Sequence, residues 1–151
     1  MSDLARTVLE AAIETFTYTE SLGTRALAQL RTDADVHVTP LYDGNSIAVI
    51  VNHMHGNMLS RWNGFLTSDG ENPTRSRDDE FMDDGCTLAE VRDRWSEGWA
   101  CVTCTLRSLG TRDLEKTITI RGQPLSVPRA IMRQTEHYGY HTGQLVSLCK
   151  H

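Results

Sequence analysis

Two histidines four residues apart, His137 and His141, sit in the run Glu136-His-Tyr-Gly-Tyr-His-Thr-Gly-Gln144. On a helix, that spacing stacks both imidazoles on one face, one turn apart. Two neutral imidazoles so placed can take adjacent positions on a divalent metal. The same face carries Ala130, Gln134, Leu145 and Leu148, so it should point inward. A pair of unpartnered imidazoles there would be costly to bury. A third nitrogen ligand is available at His53 or His55. His53 shares a helical row with Ile50, Asn57 and Arg61, and His55 lies about 200° away round the helix, so both cannot face one site. Periodicity does not choose between them. Three facial imidazoles with a position left open are the pattern of a catalytic rather than a structural site. His37, in a connection, and His151, the final residue, read as solvent-exposed.

Four segments with helical periodicity must position these residues. The first spans about Ser2 to Leu30, with Leu9, Ile13, Phe16, Leu27 and Leu30 on one face; Glu20 and Gly23 interrupt it, and Ser2 or Asp3 can cap its start. The second follows an Asn45/Ser46 cap and runs to about Thr67, its stripe formed by Ile47, Val51, Met54, Met58, Trp62 and Phe65. The third opens on Thr87 with Glu90 three residues on, a capping-box pattern. Its stripe is Leu88, Val91, Trp95, Trp99 or Gly98, Val102, Leu106 and Leu109, and Gly110 stops it. The period then changes. Thr117 to Ile120 alternates, Arg121-Gly122-Gln123 reads as a turn, and Pro124 to Val127 can pair back. The fourth helix begins near Ser126 with Pro128 in its first turn and reaches about Lys150. The expected fold is all-α, a four-helix bundle with a short β-hairpin between helices 3 and 4, in one domain spanning residues 1–151.

Composition narrows the function. The chain has 151 residues, 39% of them hydrophobic and 23% charged, with a net charge of −5. That is an ordinary globular composition, long enough for a proper core. The longest apolar run, Ile47 to Val51, is far short of the roughly 20 residues a membrane helix needs. Residues 69–84 hold seven acids against two arginines, which accounts for the entire net charge. The overall balance excludes a broadly basic nucleic-acid surface. Residues 121–150, with the paired histidines, hold four basic groups against Glu136, a local field suited to an anionic ligand. Met1-Ser2-Asp3 is not the start of a secretory leader, and four unevenly spaced cysteines form no disulfide framework, so a cytoplasmic setting is expected.

The remaining candidates have plainer readings. Cys101-Val-Thr-Cys104 falls mid-helix, where packing is expected over redox chemistry. Arg61 is expected in a salt bridge with Asp69, Glu71 or Glu80. Arg75 and Arg77 can clamp the acidic connection or bind an anionic substrate, and the clamp is favoured. Asn57 can donate near a metal, Tyr138 belongs to the core, and Tyr140 is undecided. Glu136 points about 100° from His137 and is a poor ligand. Glu20 is a candidate acceptor for the outer N–H of a ligand imidazole, though an exposed edge is the plainer place for it.

Together these segments resemble the DinB-like (DinB/YfiT-like) superfamily of metalloenzymes, in a branch of unknown function. The matching stretches are Asn45-Ser-Ile-Ala-Val-Ile-Val-Asn-His53 with Gly56-Asn57-Met58 and Ser60-Arg61-Trp62, then Thr67 to Glu71, Arg75 to Phe81, and Arg133 through Gln144. The resemblance implies a bundle holding a divalent metal, zinc or nickel, on His53, His137 and His141, with no ligand at the position of His55. It also implies a homodimer acting on a small molecule, with a low-molecular-weight thiol as co-substrate in an S-transferase. A metal-dependent hydrolase, or a non-catalytic dimeric module with a structural metal, is the alternative. Relatives in this branch usually continue past the fourth helix in a short tail, whereas this sequence stops at Cys149-Lys150-His151.

Overall fold

The computed structural model describes residues 2–40 and 43–150; His151 lies outside them. Four helices carry the fold: α1 (Ser2–Leu27), α2 (Ile47–Trp62), α3 (Leu88–Ser108) and α4 (Val127–Leu148). Between α3 and α4 sits an antiparallel hairpin, β1 (Thr117–Ile120) and β2 (Gln123–Ser126). Three short 3-10 turns, Asp33–His37, Asp79–Phe81 and Thr111–Glu115, punctuate the connections.

The central element is α2. Its apolar stripe is buried, and so are Ala48, Val49, Ile50, His53, Asn57, Ser60 and Arg61. A helix covered nearly all round lies inside a bundle rather than at its surface. One flank of α2 packs on α3, and the acidic connection 69–84 folds back over another through the Asp79–Phe81 turn. Two glycines permit the closest approaches between helices. A side chain at Gly98 would meet Met58, and one at Gly23 would overlap the Trp95 ring. The break at Gly23 in the apolar face of α1 is therefore a seat for Trp95, whose Nε1 donates to Thr24 Oγ1 at 2.9 Å.

The core centres on Phe16, Trp62, Trp99 and Tyr138, one from each helix, with ring centroids 5.6–6.1 Å apart in edge-on or tilted contacts. Trp62 Nε1 donates to the Tyr138 hydroxyl at 2.9 Å, and that hydroxyl donates to Asn57 Oδ1 at 2.7 Å. A polar chain thus runs from the core into the row of residues beside His53.

Two helices end earlier than their periodicity implies. α1 stops at Leu27 rather than Leu30, because Arg92 Nη2 takes the carbonyls of Leu27 and Leu30 at 3.0 and 3.1 Å. The next amides, Arg31 and Thr32, donate to Asp35 Oδ2 at 2.7 and 2.8 Å. α2 stops at Trp62 rather than Thr67; Gly64 turns the chain at φ +62°, and Thr105 Oγ1 donates to the Trp62 carbonyl at 3.1 Å. The predicted starts of α2, α3 and α4 hold, whereas Ser2 and Asp3 lie within α1 instead of capping it. Ser46 Oγ accepts from Val49 N at 3.2 Å, and Thr87 and Glu90 cap each other reciprocally at 3.1 and 2.7 Å.

The hairpin turn is two residues, Arg121 and Gly122, both at positive φ, so Gln123 belongs to β2 and not to the turn. The tip is fastened to the start of the acidic connection. Arg121 N donates to the Asp69 carbonyl at 3.2 Å, and Arg121 Nε donates to Glu71 Oε1 at 2.7 Å. No described helix is long and apolar enough to cross a membrane.

Candidate metal centre

The two halves of the site come from α2 and α4, which run antiparallel where they meet. His53 faces His137 and His141, while Arg61 further along α2, and Phe65 just past its end, lie beside Gln134 and Ala130, earlier on α4. One ring nitrogen from each of His53, His137 and His141 lies within 4.8 Å of the other two. His53 is buried and the other two are half-buried. His55 faces away, with Nε2 2.9 Å from Glu97 Oε2 on α3. The ambiguity between His53 and His55 is resolved by the register of α2.

The surroundings of each imidazole bear on its use as a ligand. Glu80 is buried, and Arg75 holds it in a bidentate pair, Nε to Oε1 at 2.5 Å and Nη2 to Oε2 at 2.9 Å. Desolvation works to raise the Glu80 pKa, but hydrogen bonds and charge from Arg75 and His53 outweigh it, and the net shift is downward. An ionised carboxylate only accepts, so the 3.1 Å contact of Glu80 Oε2 with His53 Nδ1 makes that nitrogen the N–H. The His53 Nε2 lone pair is left facing the other two rings. On α4, His141 Nδ1 lies 2.9 Å from Gln144 Oε1, and donating there frees its Nε2 in the same way. Burial pushes the His137 pKa down to about 3, with the nearby His141 and His53 adding to the effect. Burial also lowers His141. Both are therefore neutral ligand-grade imidazoles at physiological pH.

This donor set fits a divalent cation. His53 Nε2 and His137 Nε2 are 3.1 Å apart. Two nitrogens each about 2.0–2.1 Å from one ion and about 90–110° apart would be separated by about 2.8–3.4 Å. Two bare lone pairs at that distance repel, and either a proton on one nitrogen or a shared cation removes the conflict. Phe81 lies against His53 with centroids 4.7 Å apart, an apolar wall on that ligand. The three histidines could hold a metal ion together.

Beside this cluster opens a cavity of about 540 Å³, lined by His53, His137, Asn57, Phe81, Tyr140 and a group of arginines. That volume is in the range of small-molecule sites. Tyr140 is exposed at its rim, with its ring edge on His141 at 5.2 Å between centroids.

Several sequence readings change here. Arg61 makes no salt bridge among the described residues; its Nη1 donates to the Gly70 carbonyl. Its expected partners are engaged elsewhere, Glu71 by Arg121 and Glu80 by Arg75. Arg75 is a clamp, as expected, whereas Arg77 has no described ion pair and lines the cavity. Asn57 accepts from Tyr138. Glu20 is half-buried and touches no histidine through a described hydrogen bond; Glu80 takes the role considered for it. Cys101 packs against the core, but Cys104 is exposed, so packing accounts for only one of the pair. His37 is held rather than free, with Nδ1 2.6 Å from Asp83 and Nε2 2.8 Å from the Cys86 carbonyl.

A family model described as "Protein of unknown function (DUF1572)" matches residues 3–151. The chain belongs to this family. No curated protein and no solved structure matches it. The DUF1572 match covers every element that builds the site, from the cap of α2 through Gln144 on α4. The family description names no reaction.

Proposed function

We propose that this protein is a metal-dependent enzyme of the DinB-like kind, holding Zn²⁺ or Ni²⁺ on His53, His137 and His141 and acting on a small molecule in the adjoining cavity. The observation that carries this reading is the convergence of three imidazoles from two helices at the edge of a cavity of about 540 Å³. The arrangement of one histidine on the second helix and two, four residues apart, on the fourth supports the DinB-like kinship.

Bound there, the cation supplies a Lewis acid that makes a water or thiol acidic enough to serve as a nucleophile at neutral pH. The chain's own residues do the rest. Arg75 fixes Glu80, Glu80 fixes the His53 tautomer, and Gln144 does the same for His141. Phe81 keeps water from one side of His53. The cavity side of the cluster is uncovered, so a reactant can approach there. From the DinB-like resemblance we take the reaction to be transfer of a low-molecular-weight thiol to an electrophile, by a homodimer.

The test is an assay of Zn²⁺- or Ni²⁺-loaded, tag-free protein with small thiols and an electrophilic aryl halide. Thioether formation above the uncatalysed rate, lost in His141→Ala, supports the transferase. Ester hydrolysis with no thiol transfer replaces it with the hydrolase. Background rates in both assays overturn the enzyme reading and leave a binding module.

A further inference from the structure

The cavity beside the histidines carries a charge opposite to that of the protein. Four arginines line it, Arg61, Arg77, Arg121 and Arg133, against one acid, Glu136. The whole chain has a net charge of −5. Only Arg121 has a carboxylate partner, Glu71, among the described residues; Arg77 and Arg133 are exposed and have none. Arg61 is the most telling, because it is 6% exposed and its one described hydrogen bond is to the Gly70 carbonyl. Its other N–H groups have no described acceptor. Burial and the charges of Arg121 and Arg75 lower its pKa, yet a guanidinium stays protonated at any physiological pH.

Gln134 adds an independent sign. It is 4% exposed, lines the same cavity, and its Oε1 accepts no described hydrogen bond. Buried side-chain oxygens are nearly always satisfied in a folded protein. Gln134 lies one turn before His137 on α4 and beside Arg61 across the antiparallel pair. It therefore stands between the guanidinium and the imidazole cluster. Along α2, Arg61 is about 12 Å from His53 by helical rise. A small molecule can reach from one to the other, but Arg61 cannot itself reach the metal position.

We propose that the arginine end of this cavity is an anion subsite, which takes a carboxylate or phosphate group of a small substrate and directs the rest of that molecule toward His53 and His137. Arg61 and Arg133 donate to the anionic oxygens, and Gln134 Oε1 accepts from a hydroxyl, amine or protonated oxygen on the same molecule. Phe81 supplies the apolar wall for the intervening carbons. The proposal names a substrate class for the proposed enzyme and rests on that reading for the direction of the bound molecule. The anion subsite itself is measurable without turnover.

The experiment is calorimetric titration of tag-free protein with malonate, succinate and inorganic phosphate, against the neutral diamide of succinate, at low and high salt. Wild type should bind at least one anion saturably at one site per chain, with weaker binding at high salt and none of the diamide. The anion that binds separates carboxylate from phosphate. Arg133→Gln, an exposed position without a described partner, should weaken binding about tenfold or more, as should Arg61→Lys, which keeps the charge and loses the fork. His137→Ala should retain the anion, because the subsite lies at the other end. Failure of every anion to bind wild type overturns the proposal, as does binding unchanged in both arginine variants or lost in His137→Ala. Metal content measured on the same samples separates the two readings: metal retained without anion binding sinks only the subsite, and anion binding without metal sinks only the metalloenzyme.

Discussion

Replacing Glu80 by Gln tests how the site is held. The substitution keeps the shape and removes the charge of a carboxylate that is 6% exposed. It accepts twice from Arg75, at 2.5 and 2.9 Å, and once from His53 Nδ1 at 3.1 Å. A buried hydrogen bond to a charged group contributes about 1.5–3 kcal/mol, and a neutral one about 0.5–1.5. Gln can set its one oxygen where Oε2 was, keeping Arg75 Nη2 and His53 Nδ1 with its N–H₂ against Arg75 Nε, or where Oε1 was, keeping only Arg75 Nε with its N–H₂ against the other two donors. Losing charge assistance on two bonds and opposing donors at a third gives a cost of about 2–3 kcal/mol. For a chain of this size that is a fall in Tm of about 4–12 °C. The second consequence is specific to the site. In either orientation His53 Nδ1–H loses the ionised acceptor that fixes it, and where the N–H₂ faces it the tautomer with the proton on Nε2, the nitrogen needed for the metal, is favoured. Loss of such an outer partner lowers metal affinity by about 10–100-fold. Thermal melts with and without Zn²⁺, together with competition against a chromophoric chelator, read both effects. Metal affinity within twofold of wild type, at whatever Tm, would refute the argument that Glu80 sets the His53 tautomer.

Gly56→Ala should act on the same group from the other side, because its Cβ would overlap Glu80 Oε1, which Arg75 pins. We expect a loss of about 1–3 kcal/mol and weakened metal binding; a variant with wild-type melting and affinity would contradict this. Gly139→Ala is the control on α4, exposed and with nothing within 4 Å of a new Cβ. It should stabilise by about 0.5–1 kcal/mol, raising Tm by about 1–4 °C with metal binding unchanged, and a lower Tm would count against the packing described. His37 has its pKa raised, chiefly by its hydrogen bond to Asp83. Its stabilisation is fully present below the unfolded value of about 6.5 and is lost as pH rises through the higher folded one. Urea melts of wild type and His37→Gln should therefore differ more at pH 6 than at pH 8.5, by less than about 1 kcal/mol because the pair is partly exposed. Equal differences at the two pH values would contradict the assignment.

The helices were legible because their stripes are regular and their starts chemically marked, as at Ser46, Thr87 and Ser126. Their ends were less so. The stop of α1 depends on Arg92, 62 residues beyond Leu30, and no local pattern announces that contact. His137 and His141 were visible through their spacing and the apolar face they share, and the partner of His141, Gln144, lay in the same run, three residues beyond it. His53 was not separable from His55 by period; it took the α2 register, with His55 turned to Glu97, to divide them. Glu80 was hidden among seven acids in one connection. Only the fold-back of the Asp79–Phe81 turn distinguishes it from its neighbours. Arg61 was misassigned because sequence proximity favoured a carboxylate, while the hairpin tip brought Arg121 to take Glu71 first.

The most direct test of the central claim is elemental analysis of protein purified without a polyhistidine tag, wild type beside His137→Ala. The three-imidazole site predicts about one Zn²⁺ or Ni²⁺ per wild-type chain and little or none in the variant, with both proteins folded by circular dichroism. A folded wild type without stoichiometric metal, or a variant that retains it in full, would contradict the account.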